Sequence, residues 1–326
     1  VQNILVTGAA GFIGSNFVRY LRKNYSTTYN ICGIVDNLTY AGDRARVPEN
    51  IPFIKKDIAT LNWEYVLDFL NADILVNFAA QTHVDNSIKG IEEFEKSNIL
   101  GVKNIVQGVS KYERKKVFVI FVSTDEVYGD LPLDSNKKLK ETAPLHPNNP
   151  YSWTKAAGDL FVQMNNRTFG NLDYTIVRAA NNYGPSQHFE KFLPTVISKA
   201  IKKESIPIYG NGKNIREWLW VEDFCAGITK VIDCYANKKE NKVLGEVFNF
   251  GANSCMENID LAKLVLKILN RDERLLQFIA DRPGHDKKYA LDWSKSKKVL
   301  GWEPKMQLES GVKLVISDIV TRLNKC

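Results

Sequence analysis

Short apolar runs recur along the first half of the chain, with longer stretches of helical spacing between them. Asn3–Thr7, Asn30–Val35, Pro52–Lys56, Ile74–Phe78, Val117–Val122 and Tyr174–Val177 are rich in branched and aromatic residues and predict strands. Phe12–Lys23, Trp63–Phe69, Glu92–Tyr112 and Tyr151–Arg167 predict helices. This alternation predicts an α/β fold, a doubly wound parallel sheet with helices on both faces. After about residue 180 the rhythm breaks. "NNYGPSQHFEKFLP" and "PIYGNGKNIREW" are rich in Gly, Pro, Asn and aromatics, the composition of loops around a ligand. Helices resume at Val221–Ala236 and Asn258–Leu269. The expected picture is a sheet domain carrying a smaller, loop-rich C-terminal lid.

Composition narrows the classes. At 326 residues and 44% hydrophobic, the chain has material for one large or two intimate domains. No apolar run reaches bilayer length, and "VQNILVTG" reads as a strand entering glycines, not as a secretory leader, so a cytoplasmic protein with no membrane partner is expected. Cys32, Cys225, Cys234, Cys255 and Cys326 are odd in number and scattered. They argue for a reducing compartment and, with dispersed histidines, for no metal. The net charge of +7 suits an anionic ligand. The charge run "NKKENK" at 237–242 reads as solvated surface, and no basic-aromatic interleaving points to nucleic acid.

The first strand leads into "GAAGFIG", which places Gly8, Gly11 and Gly14 before a helix, with Phe12 and Ile13 among them. Glycines there permit a tight turn and a close approach of backbone to a pyrophosphate at the positive end of the helix, as in Rossmann-type sheets. No Lys follows at the spacing of a GxxxxGK[ST] phosphate loop. The second strand ends at Asp36, followed by Asn37. A carboxylate there accepts hydrogen bonds from both ribose hydroxyls and repels a 2′-phosphate, so NAD is expected over NADP. Asp57, read as closing the third strand and followed by Ile58, would face the adenine. Phe78, Ala79 and Ala80 leave room for the cofactor along the sheet edge.

"YSWTK" holds Tyr151 and Lys155 four residues apart, on one face of a helix. A nearby ammonium lowers the tyrosine pKa from about 10 and makes the phenol a usable base. "VSTDEVYGD" adds Thr124, Asp125 and Glu126 at the end of a buried strand. Adjacent strand residues point to opposite faces, so the chain must already be turning at Asp125 if both carboxyls are to act together.

The glycine pattern, the Tyr151/Lys155 pair and Thr124 resemble the extended short-chain dehydrogenase/reductase family. More narrowly, "AAQTHVDNSI", "VSTDEVYGD", "NNYGP", "EKFLP", "NIREWLWVED" and "DRPGHDKKYALD" are similar to the dTDP-glucose 4,6-dehydratase group within it, nearly end to end. The resemblance implies residues 1–180 as an NAD-binding Rossmann domain to which about 219–250 returns, with 181–218 and 251–326 binding the nucleotide sugar. It implies a reaction in which Tyr151 takes the C4 hydroxyl proton while NAD⁺ accepts the C4 hydride, with Thr124 bonding the same oxygen. Glu126 then removes the C5 proton, Asp125 protonates the departing C6 hydroxyl, and the hydride returns to C6. It assigns Asn182, Arg216, Asn258 and Arg282 to the diphosphate, Glu190, Lys191 and Tyr209 to the base, and His83 to the hexose. Asn98 is read as structural, holding a water near Lys155, and a homodimer built on the helices 92–112 and 151–167 is implied. Gln81, Asn86 and Trp153 depart from the common pattern, as does the segment before Glu190, which leaves UDP-glucose beside dTDP-glucose as substrate. A UDP-sugar 4-epimerase or decarboxylase is the rival enzyme, and it has no need of Asp125 and Glu126. A non-catalytic sensor of NAD or nucleotide sugars is the rival from another class.

Overall fold

The computed structural model describes residues 1–237 and 242–324; residues 238–241 of the "NKKENK" run, and Cys326, lie outside the described residues. The strands are β1 (Gln2–Thr7), β2 (Tyr29–Asp36), β3 (Phe53–Lys55), β4 (Ile74–Asn77), β5 (Phe118–Thr124), β6 (Tyr174–Ala179), β7 (Asn181–Tyr183), β8 (Ile206–Tyr209), β9 (Ile215–Trp220), β10 (Glu246–Phe250), β11 (Cys255–Glu257) and β12 (Leu276–Ile279). The helices are α1 (Phe12–Asn24), α2 (Trp63–Phe69), α3 (Val84–Lys89), α4 (Glu92–Glu95), α5 (Gly101–Lys111), α6 (Pro150–Phe169), α7 (Phe192–Lys202), α8 (Val221–Ala236), α9 (Asn258–Ile268), α10 (Ser294–Leu300) and α11 (Leu308–Leu323).

Seven strands form one sheet in the order β10-β6-β5-β4-β1-β2-β3, every neighbouring pair parallel. Both faces are covered, which is why its strands read as apolar runs rather than as alternating ones. Ile4, Val6, Phe118 and Ile120 point into one cluster, whereas Leu5, Val119 and Phe121 point into the other. The strand order reverses between β1 and β4, and open α/β sheets bind ligands at such a crevice.

The C-terminal half is more ordered than its composition suggests. "NNYGPSQHFEKFLP" contains β7 and the start of α7, and "PIYGNGKNIREW" contains parts of β8 and β9. Pro194 sits in the first turn of α7, where backbone N–H groups need no intrahelical acceptor. A third cluster, with Leu193, Ile197, Trp218, Leu261 and Val315 at its centre, packs β9 between α7, α9 and α11.

The single helix expected over Glu92–Tyr112 is interrupted. Lys96–Leu100 forms a π turn between α4 and α5, and Asn98 lies within it. The Asn98 Oδ1 accepts from the Gln81 N–H at 3.0 Å, and its Nδ2 donates to the Gln81 carbonyl at 3.0 Å and to Thr154 Oγ1 at 2.9 Å. Both amide hydrogens are therefore used by protein. Asn98 is thus a direct clamp between the β4 exit and α6.

Arg178, at the end of β6, lies fully inside the protein. Its Nε donates to Asp159 of α6 at 2.9 Å and its Nη1 to the Tyr128 hydroxyl at 2.8 Å. Removing one partner of a buried pair leaves an uncompensated charge. Arg178→Ala is therefore expected to lower stability by about 3–5 kcal/mol, read from the urea midpoint at constant m-value.

Candidate active site

The cofactor end is shaped by backbone. Gly8 has φ +65°, and a Cβ there would sit 2.5 Å from the Ala79 nitrogen. At Gly14 a Cβ would meet the Gly8 carbonyl oxygen at 2.4 Å. Gly11 precedes α1 with no side-chain cap, so the first N–H groups of that helix remain available to an anion. Asp36, buried at the end of β2, accepts from the Ala10 and Leu38 N–H groups at 2.8 Å each. Each carboxylate oxygen keeps a lone pair for a further donor. This cradle fits the pyrophosphate and ribose of a dinucleotide.

Asp57 departs from expectation. β3 ends at Lys55, and Asp57 lies in the following turn, where its Oδ1 accepts from the Ala59 N–H at 2.9 Å. Its Oδ2 is held by Lys96 at 2.9 Å and by Asn37 at 3.4 Å. It nevertheless lines the same cleft as Gly8, Gly11, Phe12, Ile13 and Gly14. Asn37, Ile58, Phe78, Ala79 and Ala80 line it too.

The far end of that cleft holds the reactive side chains. The start of α6 is fixed by a capping box: Asn149 Oδ1 accepts from Ser152 N at 2.9 Å, while Ser152 Oγ accepts from Asn149 N at 3.2 Å. Pro150 occupies the first turn. Tyr151 and Lys155 then face β5, and both are buried. The Lys155 Nζ donates to the Val122 carbonyl at 2.8 Å.

β5 runs to Thr124 and turns. Thr124 is extended (φ −137°, ψ 155°), its Oγ1 accepts from the Glu126 N–H at 3.3 Å, and Asp125–Tyr128 form a 3₁₀ helix closed by Gly129 at φ +74°. Asp125 and Glu126 consequently both line the cleft with Thr124, Tyr151 and Lys155. The turn required by the sequence is present.

The two carboxyls differ in environment. Burial raises the pKa of Asp125 well above the usual carboxylate range, and Glu126 and Glu217 add to it. Its Oδ1 accepts from Thr124 at 3.1 Å, and its Oδ2 is buried without a hydrogen-bond partner among the described residues. Burial also raises Glu126, with Asp286 adding, but Arg216 and Arg282 oppose the rise. Asp125 is thus the better proton holder and Glu126 the better acceptor. Tyr151 differs from expectation. Burial and then the Glu126 carboxylate push its pKa up, and a Thr124 hydrogen bond acts the other way.

The residues expected to hold substrate divide into two groups. Asn182, Glu190 and Lys191 line the cleft. Asn182 donates to the Ala180 carbonyl at 3.1 Å and leaves its Oδ1 buried and unpaired. Lys191 Nζ donates to the Thr82 carbonyl at 2.8 Å. His83 caps α3 through Nδ1, and its Nε2 stands 4.0 Å from Glu190. The other group lies beyond. Asp85 accepts from Arg282 at 2.9 Å and from the Tyr209 hydroxyl at 3.0 Å, with the Arg282 guanidinium 5.8 Å from the Tyr209 ring centre. Arg282 Nε and Asn258 Oδ1 are buried and unpaired. Arg216 stacks on Tyr289, 4.5 Å from the ring centre.

Sequence reasoning missed three parts of the site. Tyr40 donates to Glu190 at 2.9 Å, tying the loop after β2 to the loop before α7 across the cleft. Tyr289 donates to Glu126 at 3.3 Å, and the Asp286 carboxylate raises the Glu126 pKa. The Tyr289 and Asp286 positions lay inside "DRPGHDKKYALD" but carried no role, and nothing local marks Tyr40.

The family model described as GDP-mannose 4,6 dehydratase matches residues 5–315. The chain is 40% identical to the low-salt glycan biosynthesis protein Agl12 of Haloferax volcanii, over 97% of each chain. It is 38% identical to the dTDP-glucose 4,6-dehydratase of Haemophilus influenzae, again over 97% of each. Among solved structures it is similar to DesIV, a dTDP-glucose 4,6-dehydratase from Streptomyces venezuelae with NAD and TYD bound: TM-score 0.89, 34% identity, 99% of this chain and 98% of that one.

The raised Asp125 pKa gives a stability test. A carboxyl whose folded pKa exceeds its unfolded value contributes fully below the unfolded pKa, and that contribution fades as pH rises toward the folded one. Asp125→Asn removes the titration. Relative to wild type, the variant is expected to gain stability between pH 4 and pH 7.5, read as a growing difference in denaturant midpoints. A constant difference would contradict the assigned shift.

Proposed function

The chain belongs to the GDP-mannose 4,6 dehydratase family, and we propose that it is a dTDP-glucose 4,6-dehydratase, an NAD-dependent hydro-lyase that makes dTDP-4-keto-6-deoxyglucose. One observation carries this reading: Asp125 and Glu126 share a cleft with Thr124, Tyr151 and Lys155, at the end remote from the glycine turn. A 4-epimerase needs the tyrosine and a hydride acceptor but no acid and base for loss of water.

NAD, when bound, supplies the hydride acceptor that opens the reaction, the donor that closes it, and a positive charge when oxidised. The Gly8–Gly14 turn and Asp36 hold it. Tyr151 takes the C4 hydroxyl proton, and Thr124 bonds the same oxygen. Lys155, anchored to Val122, shares a helix face and the cleft with Tyr151 and brings a positive charge to that end. With C4 at the ketone level, the C5 hydrogen is α to a carbonyl. Glu126 takes that proton and Asp125 gives one to the C6 hydroxyl, which leaves as water. The opposed environments of the two carboxyls suit this division.

Arg216, Arg282, Asn182 and Asn258 hold the diphosphate in this reading. The unpaired Arg282 Nε is a donor waiting for an oxygen, and guanidinium geometry suits phosphate. Glu190, Lys191 and Tyr209 flank the base, and His83 the hexose. Residues 1–180 with about 219–250 form the cofactor-binding body, and 181–218 with 251–326 the nucleotide-sugar-binding one. Cys32, Cys225 and Cys255 are thiols in the structure and suit a reducing cytoplasm. Among the described residues no helix is long and apolar enough to cross a membrane.

Trp153, Leu160 and Met164 lie on one face of α6 and are 46%, 53% and 44% exposed, with Leu100 beside them on the π turn at 52%. Such a stripe on a long helix suits a homodimer in which helix pairs from two copies pack together. The wild-type protein is expected to sediment as a dimer, and Trp153→Glu combined with Leu160→Glu as a monomer. A wild-type monomer would refute the interface.

With dTDP-glucose and no added reductant, the expected product has lost one water and carries a ketone at C4, with no net reduction of NAD. A panel including UDP-glucose tests the nucleotide. Glu126→Gln is expected to lower product formation by about 10²–10⁴-fold while C4 oxidation persists in a single turnover. Galactose stereochemistry in the product, or full activity in that variant, would sink the reading.

A further inference from the structure

Glu126 has a second connection, to the segment that follows β12. The Tyr289 hydroxyl reaches Glu126 Oε2 at 3.3 Å and also bonds Asp286 Oδ2. Asn149 Nδ2 touches both carboxyls, Glu126 at 3.4 Å and Asp286 at 3.5 Å, and holds them in register. Tyr289 and Asp286 are 2% and 3% exposed. The other Asp286 oxygen, Oδ1, accepts from Asn148 at 2.6 Å. Asn148 is exposed and also donates to the exposed Asp130 at 3.0 Å. Asp286 therefore has one oxygen on a buried phenol and the other against the surface.

We propose that Tyr289 and Asp286 form a proton relay that connects Glu126 to bulk water at the exposed Asn148. The proposal rests on the dehydratase reading, in which Glu126 holds the C5 proton while C6 loses its hydroxyl. A base facing only the substrate would return the same hydrogen. The protein groups that its carboxyl touches, among the described residues, are Asn149, which cannot carry a proton, and Tyr289, which can.

The step balances as a concerted shift. The proton on Glu126 Oε2 passes to the Tyr289 oxygen as the phenolic proton passes to Asp286 Oδ2. Glu126 becomes a carboxylate, Asp286 a neutral acid, and the tyrosine carries no net charge. A half-turn of the Asp286 carboxyl presents the proton beside Asn148, where water removes it. The reverse sequence delivers a solvent proton. Arg216, stacked on the Tyr289 ring and donating to the Asp286 carbonyl at 2.9 Å, fixes both groups. Burial raises both carboxyls, so neither is a one-way sink for the proton.

The test is turnover of dTDP-glucose in D₂O, with deuterium at C5 of the product measured by NMR or mass. Wild type is expected to place deuterium at C5. Tyr289→Phe, which keeps the ring under Arg216, and Asp286→Asn are each expected to form the same product with severalfold less C5 deuterium. A merely structural defect moves the readout the other way, because slower turnover leaves more time for exchange. Undiminished deuterium at C5 in either folded variant overturns the relay alone, as does a wild-type product without C5 deuterium. Absence of any dehydrated wild-type product overturns the dehydratase reading and the relay with it.

Discussion

Two carboxyls adjacent in sequence can enter one cleft only if the strand that carries them stops between them and the cleft. In a continued strand, Asp125 and Glu126 would face opposite sides of the sheet. Here the Thr124 side chain takes the N–H of Glu126, the backbone coils into a single 3₁₀ turn, and Gly129 at φ +74° releases it. Beta carbon is forbidden at Gly129 by the His146 carbonyl oxygen, 2.2 Å from where it would stand. The turn is then nailed from below. Tyr128 donates to Asn249 on β10 and accepts from Arg178 on β6, and Arg178 is paired with Asp159 on α6. The same helix carries Tyr151 and Lys155, so one buried ionic chain sets the acid and base relative to the tyrosine.

Electrostatics then orders the groups. Glu126 sits close enough to Tyr151 and Asp125 to raise both. The three cannot all be anionic in a site this dry, so each proton that one releases makes ionisation of the other two harder. Arg216 and Arg282 break the symmetry, because they favour the charged form of Glu126. The expectation of a Tyr151 pKa lowered by Lys155 did not include these carboxylates. A Y-x-x-x-K spacing shows who neighbours the tyrosine along its helix, not which carboxylate stands across the cleft.

Local signals carried far in this chain. Apolar runs located the six strands of the first half to within a few residues, because a parallel sheet covered on both faces leaves little room for polar side chains. Gly8, Asp36, Tyr151 and Lys155 were legible for a related reason: each sits at a strand end or helix start, where spacing translates directly into place. Legibility failed where the cause is distant. Asn98, within the π turn at Lys96–Leu100, meets Gln81 and Thr154 from other elements, and Asp57 lies beyond the end of β3, where Lys96 reaches it. The segments around Tyr183 and Trp218 looked like loops because their burial depends on α7, α9 and α11 arriving from later in the chain. Tyr40 and Tyr289 reach the site across 150 and 163 residues, and no window along the sequence contains both partners.

The distribution of unsatisfied polar atoms argues for what the cleft is built to receive. A buried donor or acceptor without a partner costs about 1–3 kcal/mol, so folds rarely keep several together. Here Ser123, Asp125, Asn181, Asn182 and Gln187 each leave an oxygen buried and unpaired, and all five line the one cleft. Arg282 Nε and Asn258 Oδ1 are buried and unpaired as well. Others occur outside that lining, on Gln2, Ser110, Tyr183 and Trp218, so the five in the cleft are a concentration and not the whole set. Concentrated at the mouth of a dinucleotide cradle, they describe a surface whose hydrogen bonds are completed by hydroxyl-rich and phosphate-bearing ligands. The fold supports that deficit because Arg178, Asn98 and the Asn149 capping box satisfy the polar groups immediately behind it.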